Sequence, residues 1–451
     1  MAIHLYEKFS YAKLLRFALP SVIMMIFTSV YGVVDGIFIS NFCQDANAFP
    51  SVNLIMPFLM VLGAIGFMLG TGGSAIVAKT FGEGNPKRAR GVFTFLVLVT
   101  IVSGALLAIL GFIFLEDVAV LLGADEKMAP ICVEYGRIIL IALPAFMLQY
   151  LFQSFFVVAE KPQLGLAITV LSGCTNMLLD FLFVYVFKME VAGAALATAT
   201  SQAVGGILPL IYFTLPNKSI LRFSKPVFSG KTLLHTCTNG SSELMTNVSM
   251  SVVNMLYNGI LMYRIGPDGV SAYGSIMYTS FIFVAMFIGF SIGTAPITSY
   301  HYGAKNYSEL SSLRKKSLII ITSASVAIFA VSEALAYPLA VLFGGRTPEL
   351  LALTYNAFAI YSVSYLISGY NIYASSYFTA LGNGGVSAFI SFMRTLLLQV
   401  VCVLLLPLIL GDNGIWLSIT VAETLALAIS VFLLIVKRPE KSKNQPLPRG
   451  I

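Results

Sequence analysis

Twelve apolar stretches, each of about 20 residues or more and parted by short loops rich in Gly, Pro, Asn or charge, constrain this chain more than any other feature. They fall at 14–40, 51–80, 90–115, 130–158, 163–187, 192–215, 235–263, 270–302, 315–343, 349–381, 386–410 and 414–436. Hydrocarbon offers no partner for a backbone N–H or C=O, so stretches of this length read as helices. The expected class is an all-α integral membrane protein with 12 transmembrane helices. Composition agrees: 58% of the 451 residues are hydrophobic and 10% charged, with mean hydropathy +0.88. A soluble domain carries roughly 25% charged residues, so a water-soluble fold is excluded. Residues 1–11 are polar and the next apolar run has no cleavage site, so the first helix is expected to remain in the protein.

The net charge of +7 could point to nucleic acid, but its placement points elsewhere. Counting loops alternately, one side of the membrane takes 22 of the 27 Lys and Arg residues, including Lys8, Arg88, Lys161, Arg222, Lys305 and Lys316. The other side holds Lys127, Arg137, Lys188, Arg264 and Arg346 beside acids such as Glu116, Asp125 and Asp268. The positive-inside rule then predicts a multi-pass protein of the cell membrane with both termini cytoplasmic, and no nucleic-acid partner.

The halves repeat at an offset of about 222 residues. Gly66, Gly70 and Thr71 pair with Gly289, Gly293 and Thr294, and Phe81, Gly82 and Asn85 pair with Tyr302, Gly303 and Asn306. Asp35 falls opposite Asn258, and Gln149 opposite Asn371. Six helices per half is even, so the repeats are parallel and related by an axis along the membrane normal. The expected division is a six-helix lobe at 1–217, a basic linker at 218–231, a second pseudo-symmetric lobe at 232–438 and a cytoplasmic tail at 439–451. Two lobes facing across a cavity form an alternating-access transporter, and with both lobes in one chain a monomer is expected.

Five acids fall within the apolar stretches: Asp35, Asp180, Glu243, Glu333 and Glu423. Each costs about 2.5 to 3.5 kcal/mol at a helix centre, so each needs a partner or a function. Asp35 lies fifteen residues, or about 22 Å of helix, beyond Pro20. Burial penalises its charge and makes it a candidate proton carrier. Asn176 and Asp180 are one turn apart on one face, and Thr198 follows in the next helix; their oxygens suit a proton network or a hard cation such as Na+. The competing reading is a polar knot that only fixes packing. Glu423 and Glu243 are the second-lobe candidates, with Arg394 placed to pair with Glu423. Pro20 is a candidate hinge. Tyr31, Met56, Gln149, Phe152, Phe155, Asn258 and Asn371 are candidates for a cavity that takes flat, greasy cations.

The five cysteines lack CxxC spacing, and the three histidines lack HExxH company. No resident metal or cofactor is expected, and GEGNPK is not a phosphate loop, which leaves an ion gradient as the energy source. No constellation of an enzyme is present.

Taken together, the twelve helices, the paired loops at Gly82–Asn85 and Gly303–Asn306, Pro20 with Asp35, Asn176 with Asp180, and Thr198 in ALATATSQ resemble the multidrug and toxic compound extrusion family, MATE. The resemblance covers essentially the whole chain and is greatest to the MepA-like branch. It implies antiport of cationic amphipathic drugs or dyes against H+ or Na+ by rocking of two lobes, in contact with membrane lipids. It also implies a first-lobe cation site at Asp35, Asn176, Asp180 and Thr198. NorM-type members carry a carboxylate pair on helices seven and ten; here helix ten offers Asn371, and Glu423 is the available substitute. The alternative function is a flippase for a lipid-linked or amphipathic metabolite, which would need a more basic cavity.

Overall fold

The computed structural model describes residues 3–45, 47–344 and 347–439, so Arg346 and residues 440–451 of the expected tail lie outside the described residues. Among the described residues the chain is helical throughout: α1 (Tyr11–Phe42), α2 (Ala48–Gly82), α3 (Pro86–Leu121), α4 (Met128–Val158), α5 (Pro162–Val186), α6 (Glu190–Thr214), α7 (Gly230–Arg264), α8 (Pro267–Gly303), α9 (Tyr307–Gly344), α10 (Pro348–Ser362 continued by Tyr365–Ala380), α11 (Gly384–Leu410) and α12 (Asn413–Val436). Local chemistry sets several starts. The side chains of Ser10, Asn85, Ser229 and Thr347 accept from the first free backbone N–H groups. Pro86, Pro162, Pro267 and Pro348 stand in the first turn, where a missing N–H costs nothing.

Ten helices are long and apolar enough to cross a membrane, and α10, bent by 46° at its break, brings the number to 11. The twelfth, α7, has the length at 35 residues but is interrupted by Ser, Thr, Asn and Glu. Of its polar residues, Glu243, Thr246 and Asn247 line a cavity. Apolar side chains cover much of the outside, as Ile109, Ile113, Leu121, Tyr263, Leu408 and Ile409 illustrate.

Helices α1–α6 and α7–α12 form two lobes; two apolar clusters lie within the first, and a third fills the second and reaches across to Leu14, Phe17, Ala18 and Phe67 of the first. The segment between α6 and α7 is packed on the first lobe: Arg90 donates to the Ile220 carbonyl, and the Val227 N–H to the Gly91 carbonyl. Between lobes, α1 packs on α8, and α2 on α7 and α8. Glycine makes these approaches possible. A Cβ on Gly82 would collide with the carbonyl oxygen of Tyr300, and one on its repeat-mate Gly303 with the carbonyl oxygen of Lys79. Gly72 and Gly240 are closed in the same way by the backbones at Thr236 and Met68, and Gly289 and Gly293 by α1 at Ser21, Val22 and Ala18. This seam runs along the ends that carry the basic loops. Pro20 is buried within it, and α1 runs through Pro20 as one unbroken helix. Toward the opposite side, Gly32 of α1 and Gly259 of α7 have nothing within 4 Å of a would-be Cβ, Gly259 lining a groove between α7 and α11.

The N-terminal segment ties the lobes on the sealed side. The Leu5 N–H donates to Glu160 at 2.7 Å, and the Phe9 N–H to Glu309 at 2.9 Å.

Candidate functional site

Three polar centres interrupt the apolar interior. In the first lobe, α1 supplies Asp35, α5 supplies Asn176 and Asp180, and α6 supplies Thr198. Thr198 Oγ1 donates to Asp35 Oδ1 at 3.3 Å and accepts from Asn176 Nδ2 at 3.3 Å. Asp180 is fully buried, and neither of its carboxylate oxygens, nor Asn176 Oδ1, meets a hydrogen-bond partner. The charge that acts on Asp180 is Asp35 itself. Among the described residues no Lys, Arg or His forms an ion pair with either acid. Two carboxyl groups left together without a base call for a proton or a cation to hold them there. Oxygen donors from carboxylate, amide and hydroxyl groups suit a hard monovalent ion. Immediately after Asp180 the helix widens into a π-helical segment, Phe181–Val186, a device common at functional sites.

Tyr135 on α4 completes this centre. It is fully buried, its hydroxyl has no hydrogen-bond partner, and Asp35, Asp180 and Thr198 are its polar surroundings. Nothing in the sequence distinguishes it among 21 tyrosines, because a tyrosine in a membrane helix is cheap where an aspartate is not.

The second centre is a cavity of about 240 Å³ between the lobes. Met25 of α1, Thr71 of α2, Tyr150 of α4, Glu243 and Asn247 of α7, and Arg394 of α11 all line it. Among the described residues, Glu243 and Arg394 are its only charged lining groups, and Arg394 is the charged group that acts on Glu243.

The third centre lies within the second lobe. Arg394 Nε donates to Glu423 Oε1 at 2.8 Å, Asn371 Nδ2 donates to Glu423 Oε2 at 2.7 Å, and Ser430 Oγ donates to Asn371 Oδ1 at 2.8 Å. Glu423 is therefore committed to partners on α10 and α11. Arg394 belongs to a second π-helical segment, Met393–Leu397, inside α11, where the sequence places it.

The remaining candidates scatter. Phe152 and Phe155 lie in a buried cluster with Phe93 and Phe213, away from the cavity, because α4 turns this face to the first-lobe core. Met56 packs into the other first-lobe core. Gln149 is buried beside Ser172, and Tyr31 stands against Phe27 and Gly173. Asn258 is exposed on α7 and lines none of the cavities described. Asn371 serves the Glu423 knot instead of the cavity. Glu333 accepts from Ser362 near the end of α9.

Two parallel lobes around a cavity, with a base-free acid pair in one of them, define a class of membrane carrier, and comparison with known proteins identifies the family. The MatE family model matches residues 20–182 and 244–405, and the chain belongs to that family. Within it the chain is MepA-like: it is similar to the multidrug export protein MepA of Staphylococcus haemolyticus, 24% identical over 443 residues covering 95% of this chain and 94% of the relative. MepA of Staphylococcus saprophyticus is 22% identical, with 96% of both chains covered. The fold matches the crystal structure of a MATE protein in complex with MaL6 at TM-score 0.92 and 20% identity, covering 98% of both chains. It matches a multidrug-resistance MATE transporter described as outward-facing at TM-score 0.91, 20% identity and the same coverage.

Proposed function

We propose that this protein is an ion-coupled antiporter that exports cationic amphipathic compounds by alternating access of its two lobes, and is not an enzyme. The observation that carries the reading is the Asp35–Asp180 pair, buried without a base and with orphaned oxygens. H+ or Na+ entering from the side opposite the seam would be held by Asp35 and Asp180, with Asn176, Thr198 and Tyr135 as neutral partners. Glu243 would hold the cationic end of the compound in the cavity. The names of the MepA relatives support export of drugs by this chain.

Coupling on this scheme is competition. Cation and compound each favour one arrangement of the same lobes, so each weakens the other's hold by the same factor. The seam would be the closed cytoplasmic gate, with both termini in the cytoplasm and the protein in the cell membrane. The basic ends of the helices support that orientation.

The test is dye efflux from proteoliposomes with an H+ or a Na+ gradient imposed separately, for wild type and Asp35→Asn. Transport driven by one gradient and lost in the variant is expected, and it names the ion. Full efflux by Asp35→Asn overturns the coupling site; transport of lipid without dye efflux would favour a flippase.

A further inference from the structure

The first lobe reaches across the seam with its own N-terminal segment. The Leu5 N–H donates to Glu160, between α4 and α5, at 2.7 Å, and α1 begins at Tyr11, so both ends of the segment belong to the first lobe. Its middle is held by the second. The Phe9 N–H donates to Glu309 of α9 at 2.9 Å, the Phe9 carbonyl accepts from Lys316 of α9, and the Glu7 carbonyl accepts from His301 Nε2 of α8 at 3.3 Å. Both main-chain polar groups of Phe9 are thus spent on a helix of the other lobe. Phe9 is 1% exposed and, like Leu5, joins the apolar cluster that fills the second lobe. Glu309 and His301 are buried as well.

The glycine seam beside this segment holds in a different way. It closes by approach of backbone to backbone at Gly72, Gly82, Gly240 and Gly303. Dispersion between such surfaces fades within about 1 Å of separation and selects no partner. A buried hydrogen bond does select one, and leaving its donor unmatched costs the desolvation of that group. The segment therefore supplies directional bonds where the seam supplies close contact.

We infer that Leu5–Phe9 is a clasp: a loop of the first lobe, hooked into α8 and α9 of the second, that holds the seam shut while the transporter is empty. Parting the lobes on this side requires Phe9 to leave α9, and the strength of the hook sets how much of the resting protein is open there. Once unhooked, Glu309, Lys316 and the Phe9 backbone are met by water, so the clasp re-forms whenever the seam closes. The existence of an open arrangement rests on the alternating-access reading above.

Cys237 of α7 is a native reporter of the seam. It follows Thr236, whose carbonyl lies against Gly72, and its half-buried side chain packs on an apolar cluster of the first lobe. The purified full chain in detergent, with neither gradient nor dye, would be alkylated with a bulky maleimide and the rate at Cys237 read by mass spectrometry. Glu309→Ala and Phe9→Ala should react about fivefold faster than wild type, the change that one lost hydrogen bond of this kind makes in an equilibrium. Glu309→Gln keeps an acceptor for the Phe9 N–H and should react at the wild-type rate. Gly82→Leu, whose side chain has no room against the Tyr300 carbonyl, forces the faces apart and calibrates the reporter. Fast labelling of Gly82→Leu with wild-type rates in Glu309→Ala and Phe9→Ala overturns the clasp. If either of those two variants also exposes Cys132, buried in the first-lobe core, the fold has loosened, and Lys316→Met decides because it removes only the donor to the Phe9 carbonyl. Faster labelling of Cys237 alone in Lys316→Met supports the clasp; the wild-type rate overturns it. Failure of alternating access would show separately, as a wild-type rate at Cys237 that a cationic dye leaves unchanged, with the comparison among variants still standing.

Discussion

In the first lobe two carboxylic acids lie together with no base paired to them among the described residues, whereas in the second lobe the deepest acid is held by a guanidinium and an amide. The halves share helix count, the paired glycine loops and the pair Gly82 and Gly303 across the seam. They diverge in how they treat buried charge. A paired charge is neutral to its surroundings and resists change; an unpaired acid can lower its cost by taking up a proton or a cation. The difference teaches that the repeat preserved the mechanics and left the electrostatics free to separate into two tasks. On the proposed coupling, one lobe would change its charge and the other would keep it.

This contrast is open to direct attack. The largest effect is expected from Asp180→Asn: gradient-driven dye efflux should fall to the background of empty liposomes, while insertion and thermal unfolding stay near wild type, because the amide needs no counter-ion. Next, Arg394→Ala strands Glu423 in the second lobe and should cost about 3 to 5 kcal/mol of stability, seen as a marked fall in unfolding temperature. The paired change Arg394→Gln/Glu423→Gln should recover most of that loss, and no such rescue is expected between lobes.

Phe152→Ala should cost about 3 kcal/mol of stability through the cavity it leaves in the Phe93 cluster, with dye affinity unchanged. A loss of affinity without a loss of stability would return Phe152 to the cavity. The smallest effect is expected from Tyr135→Phe, which removes one hydroxyl beside the acids: about 1 kcal/mol, or roughly fivefold weaker coupling in the ratio of efflux with and without the gradient. An unchanged ratio would leave Tyr135 as packing only.

Much of the fold was legible because hydrocarbon permits few solutions. Twelve apolar stretches and an internal offset led to the helical, two-lobed arrangement, and the helix that fell short, α7, is interrupted by polar residues, of which Glu243, Thr246 and Asn247 line the cavity. Asp35, Asn176, Asp180 and Thr198 stood out because polar groups are expensive in such helices, and the structure brings them together on α1, α5 and α6. Phe152, Phe155 and Met56 were less readable, since an apolar side chain serves lipid, core or cavity equally well. Tyr135 was hidden for a related reason: nothing about its cost distinguishes it. Arg394 was visible as a partner for Glu423, but its place on the wall of the central cavity required the packing of α7, α10 and α11.

The glycine seam carries a consequence for turnover. A gate made of side chains must freeze their rotamers each time it shuts and release them each time it opens, at a cost that reaches about 2 kcal/mol for a long flexible residue. Gly72, Gly82, Gly240 and Gly303 have no rotamers to freeze. If the lobes alternate as proposed above, closing would bring backbone to backbone at almost no entropic toll, and the same two faces would part and rejoin on each cycle with little of the gradient's work lost.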